Sequence, residues 1–285
     1  FPEIPKLTSQ NGFVVSQKIF RDMLQKTAFA MGVNDARAVL NGCFVKVGND
    51  RIEVVSCDSF KMAKCSAGAE LENIGEEKLD FEFIIPTKTA SSARRCSARG
   101  SRLRNKMKTV NELCRLLSDD EEEKATIYMS HKNIVLVLGD LTFFSRLITG
   151  DYIDYNRFII KTHKITVKAD RLAFIAALER AALITEERIA GSVRSYVKLD
   201  ISQGIMKILA TSTAGSTYDE LSVDTEGGDI IIAFSNRYLI DTLRSSTADT
   251  IKISMTSPLA SINIEPDGDD ADDEFFMLLP VRMKE

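Results

Sequence analysis

The second half of this chain repeats the first, and that constrains its fold more than any single motif does. Ile230–Phe234 matches Phe81–Ile85, and Thr250-Ile251-Lys252-Ile253-Ser254 echoes Thr126-Ile127-Tyr128-Met129-Ser130. Around these anchors the elements come in one order twice. A short strand, Phe13–Val15, leads into a helix over Gln17–Met31 that Ser16 can cap, with Ile19, Phe20, Met23, Leu24 and Phe29 at helical spacing. Its counterpart is the strand Ile165–Val167 and the helix Arg171–Thr185, capped by Asp170, with Leu172, Ile175, Ala176, Leu178 and Leu183 as the apolar set. Strands at Gly42–Val47 and Arg51–Ser56 answer those at Ser195–Ile201 and Ile205–Thr211. The helix Val110–Leu117 answers Arg237–Arg244. Strands Thr126–Ser130, Ile134–Leu138 and Thr142–Thr149 close the first half, and Tyr152–Phe158 crosses into the second. The apolar run Phe275–Arg282 reads as the last strand. Two copies of one plan, each with two helices and seven or eight strands, specify an α+β fold in tandem.

The repeat also isolates a foreign segment. Pairing Pro86 with Ser235 gives an offset of 149 residues, whereas pairing Val110 with Leu239 gives 129, so 20 residues, Ala90–Thr109, are inserted. The insertion holds Arg94, Arg95, Arg99, Arg102, Arg104, Lys106, Lys108 and no acid. It therefore carries +7 of a chain whose net charge is −4, leaving −11 on the rest. Two acidic stretches, Asp119–Glu123 and Asp267–Glu274, supply much of that. Alternating Ser, Ala, Gly and Arg give the insertion no core-forming period. It reads as a surface loop, an anomalous segment, or a loop that touches DNA.

Other functional classes find little support. At 285 residues and 44% hydrophobic content the chain has enough material for two cores. No run approaches the roughly 18 apolar residues of a membrane span, and no secretory leader is recognisable. Five cysteines, Cys43, Cys57, Cys65, Cys96 and Cys114, include no CxxC pair. They fit reduced thiols in a cytoplasm and argue against zinc or a disulfide framework. The two histidines, His131 and His163, sit beside lysines and read as solvated surface. No P-loop, nucleophile elbow, metal-ligand cluster or paired-carboxylate motif is present, so a non-catalytic role with no metal and no cofactor is expected.

Several stretches, taken in order and spacing, resemble the bacterial DNA sliding clamp, the beta subunit of DNA polymerase III. They are Thr27–Ala30 (TAFA), Arg37–Gly42 (RAVLNG), Cys57–Ala63 (CDSFKMA), Ile84-Ile85-Pro86, Arg146–Tyr155 (RLITGDYIDY), Glu179–Ala182 (ERAA), Ala233–Leu243 (AFSNRYLIDTL) and Leu279–Arg282 (LPVR). The family protomer has three units. This chain is similar to the second and third, over residues 1–158 and 159–285, and the first is missing from it.

The resemblance implies tandem clamp-type domains with two helices on one side of antiparallel sheets. In the family, six units close a homo-oligomeric ring around duplex DNA, with helices lining the hole. Binding is then sequence-independent, through cations facing phosphates. The cations implicated are Lys18, Arg21, Lys26, Arg37, Lys88, Arg115, Arg171, Arg180, Arg237 and Arg244. The resemblance further implies a pocket for a short linear peptide from the replicative polymerase, the clamp loader and repair proteins. Its wall would comprise Leu40, Cys57, Ser59, Phe60, Lys61, Met62, Ile153, Arg157, Phe158, Tyr238, Leu259, Ser261, Met277, Leu279, Pro280, Val281 and Arg282. Cys57-Asp58-Ser59 stands where the family has Thr-Asp-Gly, Ile153 where it has Pro, and Phe234-Ser235 where it has Phe-Asn. Leu279-Pro280-Val281-Arg282 replaces a Met-Pro-Met-Arg type of ending. Ile184 and its neighbours resemble the family's third-unit edge. The competing reading is a peptide-binding adaptor that closes no ring.

Overall fold

The structure, a computed structural model, describes residues 11–48, 50–75, 78–88, 92–95, 102–104, 109–130, 132–185, 196–212, 215–268 and 274–283. The chain divides into two compact units. One comprises the residues up to Ser59 with Lys64–Ile153; the other comprises Phe60–Ala63 with the chain from Asp154 onward.

In chain order the first repeat runs β1 (Gly12–Ser16), α1 (Gln17–Ala28), a 3₁₀ turn (Ala38–Leu40), β2 (Gly42–Val47), β3 (Arg51–Cys57), β4 (Lys61–Gly68), β5 (Glu72–Ile74) and β6 (Phe81–Pro86). It continues with β7 (Ser92–Arg95), β8 (Arg102–Arg104), α2 (Thr109–Leu116), β9 (Lys124–Ser130), β10 (Asn133–Leu138) and β11 (Leu141–Arg146). One sheet has the order β5-β1-β9-β10-β11-β7-β8, and a second contains β4-β3-β2-β6.

After a 3₁₀ turn at Tyr155–Phe158 the second repeat runs β12 (Ile165–Asp170), α3 (Arg171–Thr185), β13 (Tyr196–Ser202), β14 (Ile205–Ser212), β15 (Gly215–Ser222) and β16 (Asp224–Glu226). It ends with β17 (Ile230–Ser235), α4 (Asn236–Ser245), β18 (Thr250–Met255), β19 (Ile262–Pro266) and β20 (Glu274–Leu278). Its strands order as β16-β12-β18-β19-β20 and β15-β14-β13-β17. Remove β7 and β8 and the two repeats share one strand order. The duplication read from sequence therefore extends to topology, with nine shared strands per repeat among the described residues rather than seven or eight.

Local chemistry explains the shared plan. Helix α1 buries Gln17, Phe20, Met23, Leu24 and Thr27, an i, i+3, i+4, i+7 stripe facing a sheet core that includes Phe13, Val45, Ile52, Ile127 and Phe143. Gln17 is buried but satisfied: its Nε2 donates to Lys124 O at 3.1 Å, and its Oε1 accepts from Ser118 N at 3.0 Å. In the second repeat Asp170 Oδ1 accepts the Ala173 N–H at 2.7 Å, the expected cap of α3. Gly42 ends the RAVLNG stretch where β2 lies close to β6. A Cβ there would sit 2.6 Å from Ile85 O.

Several expectations are corrected. Helix α1 ends at Ala28, not Met31; the Thr27 hydroxyl donates back to Met23 O at 2.8 Å and the chain leaves the helix in a turn. Ser16 makes no side-chain cap, its hydroxyl donating instead to Glu121 O at 3.3 Å. Of the expected apolar set of α3, Ile175 and Leu178 are buried with Phe174, Ala177 and Ala181, whereas Leu172 and Leu183 are 60% and 83% exposed. His163 is half-buried rather than solvated, accepting from Asn263 Nδ2 at 3.2 Å. His131 lies outside the described residues. The last strand stops at Leu278. Within the insertion, β7 and β8 pair with each other and β7 pairs with β11, so part of it is sheet. Thr109 N–H donates to Thr87 O at 2.9 Å, which closes the insertion at its base.

Cys43, Cys57, Cys65 and Cys114 form no disulfide; Cys96 lies outside the described residues. Burial pushes the Cys43 thiol up to about 11, against hydrogen bonds from Ser56 and Thr27 that lower it. Burial likewise pushes Cys114 up to about 12. A thiol raised in the folded state favours unfolding once the unfolded chain ionises while the folded one does not. Stability is therefore full below about pH 8.5, the ordinary thiol value, and falls as pH rises toward the folded values. Thermal melts from pH 8 upward should show that decline, and it should be shallower in Cys43→Ala. An identical slope in that variant would show that Cys43 does not contribute.

Candidate partner-binding and DNA-facing surfaces

The end of the chain is built by its last strand. All five residues of β20 are buried, and its register on β19 sets Ile262 opposite Leu278 and Ile264 opposite Phe276. Beyond Leu278 the backbone turns into a strap. Leu279 N–H donates to Phe60 O at 2.9 Å, and Val281 N–H donates to Ala233 O at 2.7 Å on β17, the outer strand of the four-stranded sheet. Pro280, between them, has no N–H to give. The strap is thus fixed at two points by backbone bonds, which leave Leu279 exposed.

Around it the second unit gathers an aromatic and apolar surface. Phe60 is 55% exposed, and its ring centroid lies 6.3 Å from that of Tyr238 on α4. The nearly buried Lys61 places Nζ 4.6 Å from the centroid of the same Tyr238 ring, a cation–π contact. Leu279 is 41% exposed. Leu259 is also exposed, on the turn leading to β19. Met277 and Ser261 are buried, Pro280 and Val281 half-buried, and Arg282 exposed. Phe158 is exposed on its 3₁₀ turn, where Arg157 Nε pairs with Asp154 Oδ2 at 2.8 Å.

The remaining expected wall residues fare differently. Met62 is fully buried, so it supports the surface from beneath and does not line it. Leu40, Cys57, Ser59 and Ile153 belong to the first unit. There Leu40 is fully buried and Cys57 nearly so, while the exposed Ser59 hydroxyl accepts from Arg37 Nη2 at 3.1 Å.

The helices form a pair within each unit, α1 with α2 and α3 with α4. Most expected DNA-facing cations on or near them already hold a carboxylate. Lys18 pairs with Glu121, Arg21 with Asp119 at 3.7 Å and Arg37 with Asp35 at 3.3 Å. Arg180 grips Asp219 with two bonds of 2.6 and 2.9 Å, holding that carboxyl below the usual carboxylate range. Arg237 pairs with Asp241 at 3.6 Å and Arg244 with Glu179 at 2.6 Å. Lys26 is half-buried near the end of α1. Arg171 is spent differently: its guanidinium donates to the carbonyls of Leu243 and Ala248, where α4 ends. Lys88 and Arg115 are exposed and make no ion pair among the described residues.

Two open clefts in the first unit collect cations. One of about 550 Å³ between α1 and α2 is lined by Arg21, Gln25, Asn111, Arg115 and Asp119 among others. Another of about 370 Å³ places Lys88 near Arg146 above Pro86, Leu147 and Ile148. Sequence reasoning passed over Arg146 as a binding residue, although it opens the RLITGDYIDY stretch. Periodicity alone cannot show which residues border a cleft. Among the described residues no His, Cys, Asp or Glu cluster is arranged to hold a metal, and no helix is long and apolar enough to cross a membrane.

Residues 14–104 match the family model for the central domain of the DNA polymerase III beta subunit, and residues 156–280 match that for its C-terminal domain. The chain is 28% identical over 270 residues to the beta sliding clamp of Pseudomonas putida, covering 94% of itself and 65% of that protein. It is 24% identical to the beta sliding clamp of Staphylococcus aureus, covering 99% of itself and 67% of that protein. The chain thus spans about two thirds of the length of these relatives. Among solved structures, the DNA polymerase sliding clamp of Bacillus subtilis matches with a TM-score of 0.83 at 23% identity, over 100% of this chain and 67% of that one. The DNA polymerase III beta subunit of Pseudomonas aeruginosa matches with a TM-score of 0.82 at 25% identity, over 99% and 69%. With two family models matched in the family's own order and a fold shared from end to end, the chain belongs to the DNA sliding clamps, the beta subunits of bacterial DNA polymerase III.

Proposed function

We propose that this chain serves as the ring-forming and recruiting part of a DNA sliding clamp. It helps enclose duplex DNA without reading its sequence, and holds the replicative polymerase, clamp loader and repair proteins by short linear peptides. The role is topological and needs no catalytic group, metal or cofactor. The observation that carries the recruiting half is the strap at Leu279–Val281. It is fixed by two backbone bonds and flanked by the exposed Phe60, Leu259 and Leu279, with the Tyr238 ring held between Phe60 and Lys61. An apolar surface on a rigid frame with a few polar anchors suits an extended peptide. Ring formation is supported by β15, an eight-residue outer strand contacting α3, on which Leu183 is 83% exposed. Open edges beside exposed leucines invite another unit.

A relative, the sliding clamp of Pseudomonas aeruginosa, has been crystallised bound to griselimycin, which therefore serves as the probe. Calorimetry should give binding by the full chain, weakened about tenfold or more by Phe60→Ala or Leu279→Ala. Neither exposed residue should lower the melting temperature appreciably. Removing residues 279–285 should abolish binding while leaving β20 folded. Undiminished binding by the truncated chain would exclude the strap as the partner surface.

The DNA half rests on the cations of the helix pairs and clefts. Exposed ion pairs contribute up to about 1 kcal/mol, so phosphates can displace carboxylates from Arg21 or Arg244 at small cost. In a salt titration with labelled duplex DNA, Lys88→Ala and Arg115→Ala should each reduce the log–log salt slope by about 1. Arg171→Ala should leave that slope alone and lower stability by about 1–3 kcal/mol, since it frees two carbonyls. Slopes unchanged by both Lys88→Ala and Arg115→Ala would remove those residues from the DNA-facing surface.

A further inference from the structure

The two repeats differ where their second helix returns to the sheet. Residues 117–123, seven in all, join α2 to β9, whereas four, residues 246–249, join α4 to β18. Both connections end on the same backbone bond: Gln17 N–H donates to Glu123 O at 2.8 Å, and Arg171 N–H to Asp249 O at 2.9 Å. The longer connection carries Asp119, Asp120, Glu121, Glu122 and Glu123, and the shorter has Asp249 as its only acid.

The first helix of each repeat differs to match. Gln17 opens α1 and Arg171 opens α3, and the buried Phe20 and Leu24 answer the buried Phe174 and Leu178. In that alignment Lys18 corresponds to Leu172 and Arg21 to Ile175. The acid-rich connection and the two cations thus occur together in one repeat and are missing together from the other. They also touch. Lys18 Nζ pairs with Glu121 Oε1, which holds the ammonium above its ordinary range, and Arg21 Nη1 lies 3.7 Å from Asp119 Oδ2.

The acidic connection is fastened to the start of α1. Besides the Glu123 bond, Ser16 Oγ donates to Glu121 O at 3.3 Å and Ser118 N–H donates to Gln17 Oε1 at 3.0 Å. Within it, Asp120 N–H donates to Ser118 Oγ at 3.2 Å and Glu122 N–H to Asp120 Oδ1 at 3.0 Å. Its two pairing side chains nevertheless stay open to solvent, 88% exposed at Asp119 and 76% at Glu121. Arg21 is not used up by its acid. Among the described residues its buried Nε has no hydrogen-bond partner, and the side chain lines the α1–α2 cleft with Gln25, Asn111 and Arg115. The backbone bonds keep the charges close, while the exposed ion pairs themselves are weak and exchangeable.

We propose that residues 119–123 are an autoinhibitory counter-anion, standing on Lys18 and Arg21 in the place of DNA phosphates. This role rests on the reading above that both cations face duplex DNA. An arriving duplex must displace two carboxylates while Asp120, Glu122 and Glu123 stay nearby and repel it. The carboxylates so released gather salt cations, which offsets part of the counterion release that drives binding. The grip on the duplex is thereby loosened, which suits a protein that is to move along it.

Titration of a labelled duplex with the full chain, over a range of salt, tests this. The double variant Asp119→Asn, Glu121→Gln should bind about three- to tenfold more tightly at about 0.1 M salt, with a log–log slope steeper by about 1. Both side chains are exposed, so the melting temperature should stay close to that of the parent chain. The same two substitutions in a Lys18→Ala, Arg21→Ala background should change affinity less than about twofold, as should the charge-matched Asp224→Asn, Glu226→Gln on β16. If neither the full chain nor the neutralised variant binds duplex, the DNA-facing reading falls and this one with it. Duplex binding that Asp119→Asn, Glu121→Gln leaves unchanged overturns the autoinhibitory role alone. So does a gain that survives the loss of Lys18 and Arg21, or one that the β16 variant reproduces, because the acids would then act through bulk charge.

Discussion

A strand presents alternate N–H and C=O groups to each side, and duplication sets β11 and β20 at equivalent positions, each with a further strand beyond it, β7 beside β11 and β4 beside β20. How each copy is finished decides most of what is distinctive about the molecule. At β20 five buried residues anchor the chain, Leu279 bonds to Phe60 O, Pro280 withholds its donor, and Val281 crosses to Ala233 on β17. Two backbone bonds contribute about 1 kcal/mol each, too little to hold a free end against its entropy. The buried Phe275-Phe276-Met277-Leu278 run supplies the rest. The exposed Phe60 and Leu279 therefore follow from how the chain is tied down beyond β20. They stay outside because the buried run before the strap and its two backbone bonds, not their own burial, hold it in place.

Electrostatics follow a similar division between what a charge holds and what it leaves available. The chain is acidic overall at −4, yet its helix pairs and clefts carry cations, and local fields rather than net charge steer a polyanion. Arg180, Arg244 and Lys18 engage acids on the surface, where screening makes such pairs weak and exchangeable. Arg171 instead ties off carbonyls where α4 ends, a structural duty that a phosphate cannot replace. Residues of one type, at similar helical positions, thus divide into binding candidates and fold components by the hydrogen bonds they make.

That division was not legible in the sequence. What could be read was whatever periodicity and duplication encode: the tandem repeat, the four helices and the Asp170 cap. Strand β15 went unread because Gly-Ser-Thr-Tyr-Asp-Glu-Leu-Ser offers one aliphatic side chain, and its pairing with β14 supplies the missing incentive. The family stretches proved to mark scaffold as often as surface. Asn41 closes its own loop with two bonds to the Asp35 backbone, and Asn236 Nδ2 joins α4 to Leu178 O on α3 at 2.9 Å. Among the wall residues, Leu40 and Met62 are buried while Phe60, Leu259 and Leu279 are not. All five are large and apolar, so composition cannot separate core from exposed surface, and only the tertiary frame does.

The insertion shows why one repeat could diverge without losing the plan. Its ends meet at the Thr109–Thr87 bond, so α2 starts where it would if the segment were absent, as α4 starts directly after β17. Closing a loop of about 20 residues costs roughly 3 kcal/mol of chain entropy beyond a constant term. A segment with no apolar period cannot offset that by burying a core. Backbone pairing is the route left to it, and β11 offers an unpaired row within reach of the β6 end. The gain is mutual, because the same ladder that orders part of the insertion covers a sticky edge. A segment of different composition at this joint would keep that ladder only if its backbone could still pair with Leu141–Phe144.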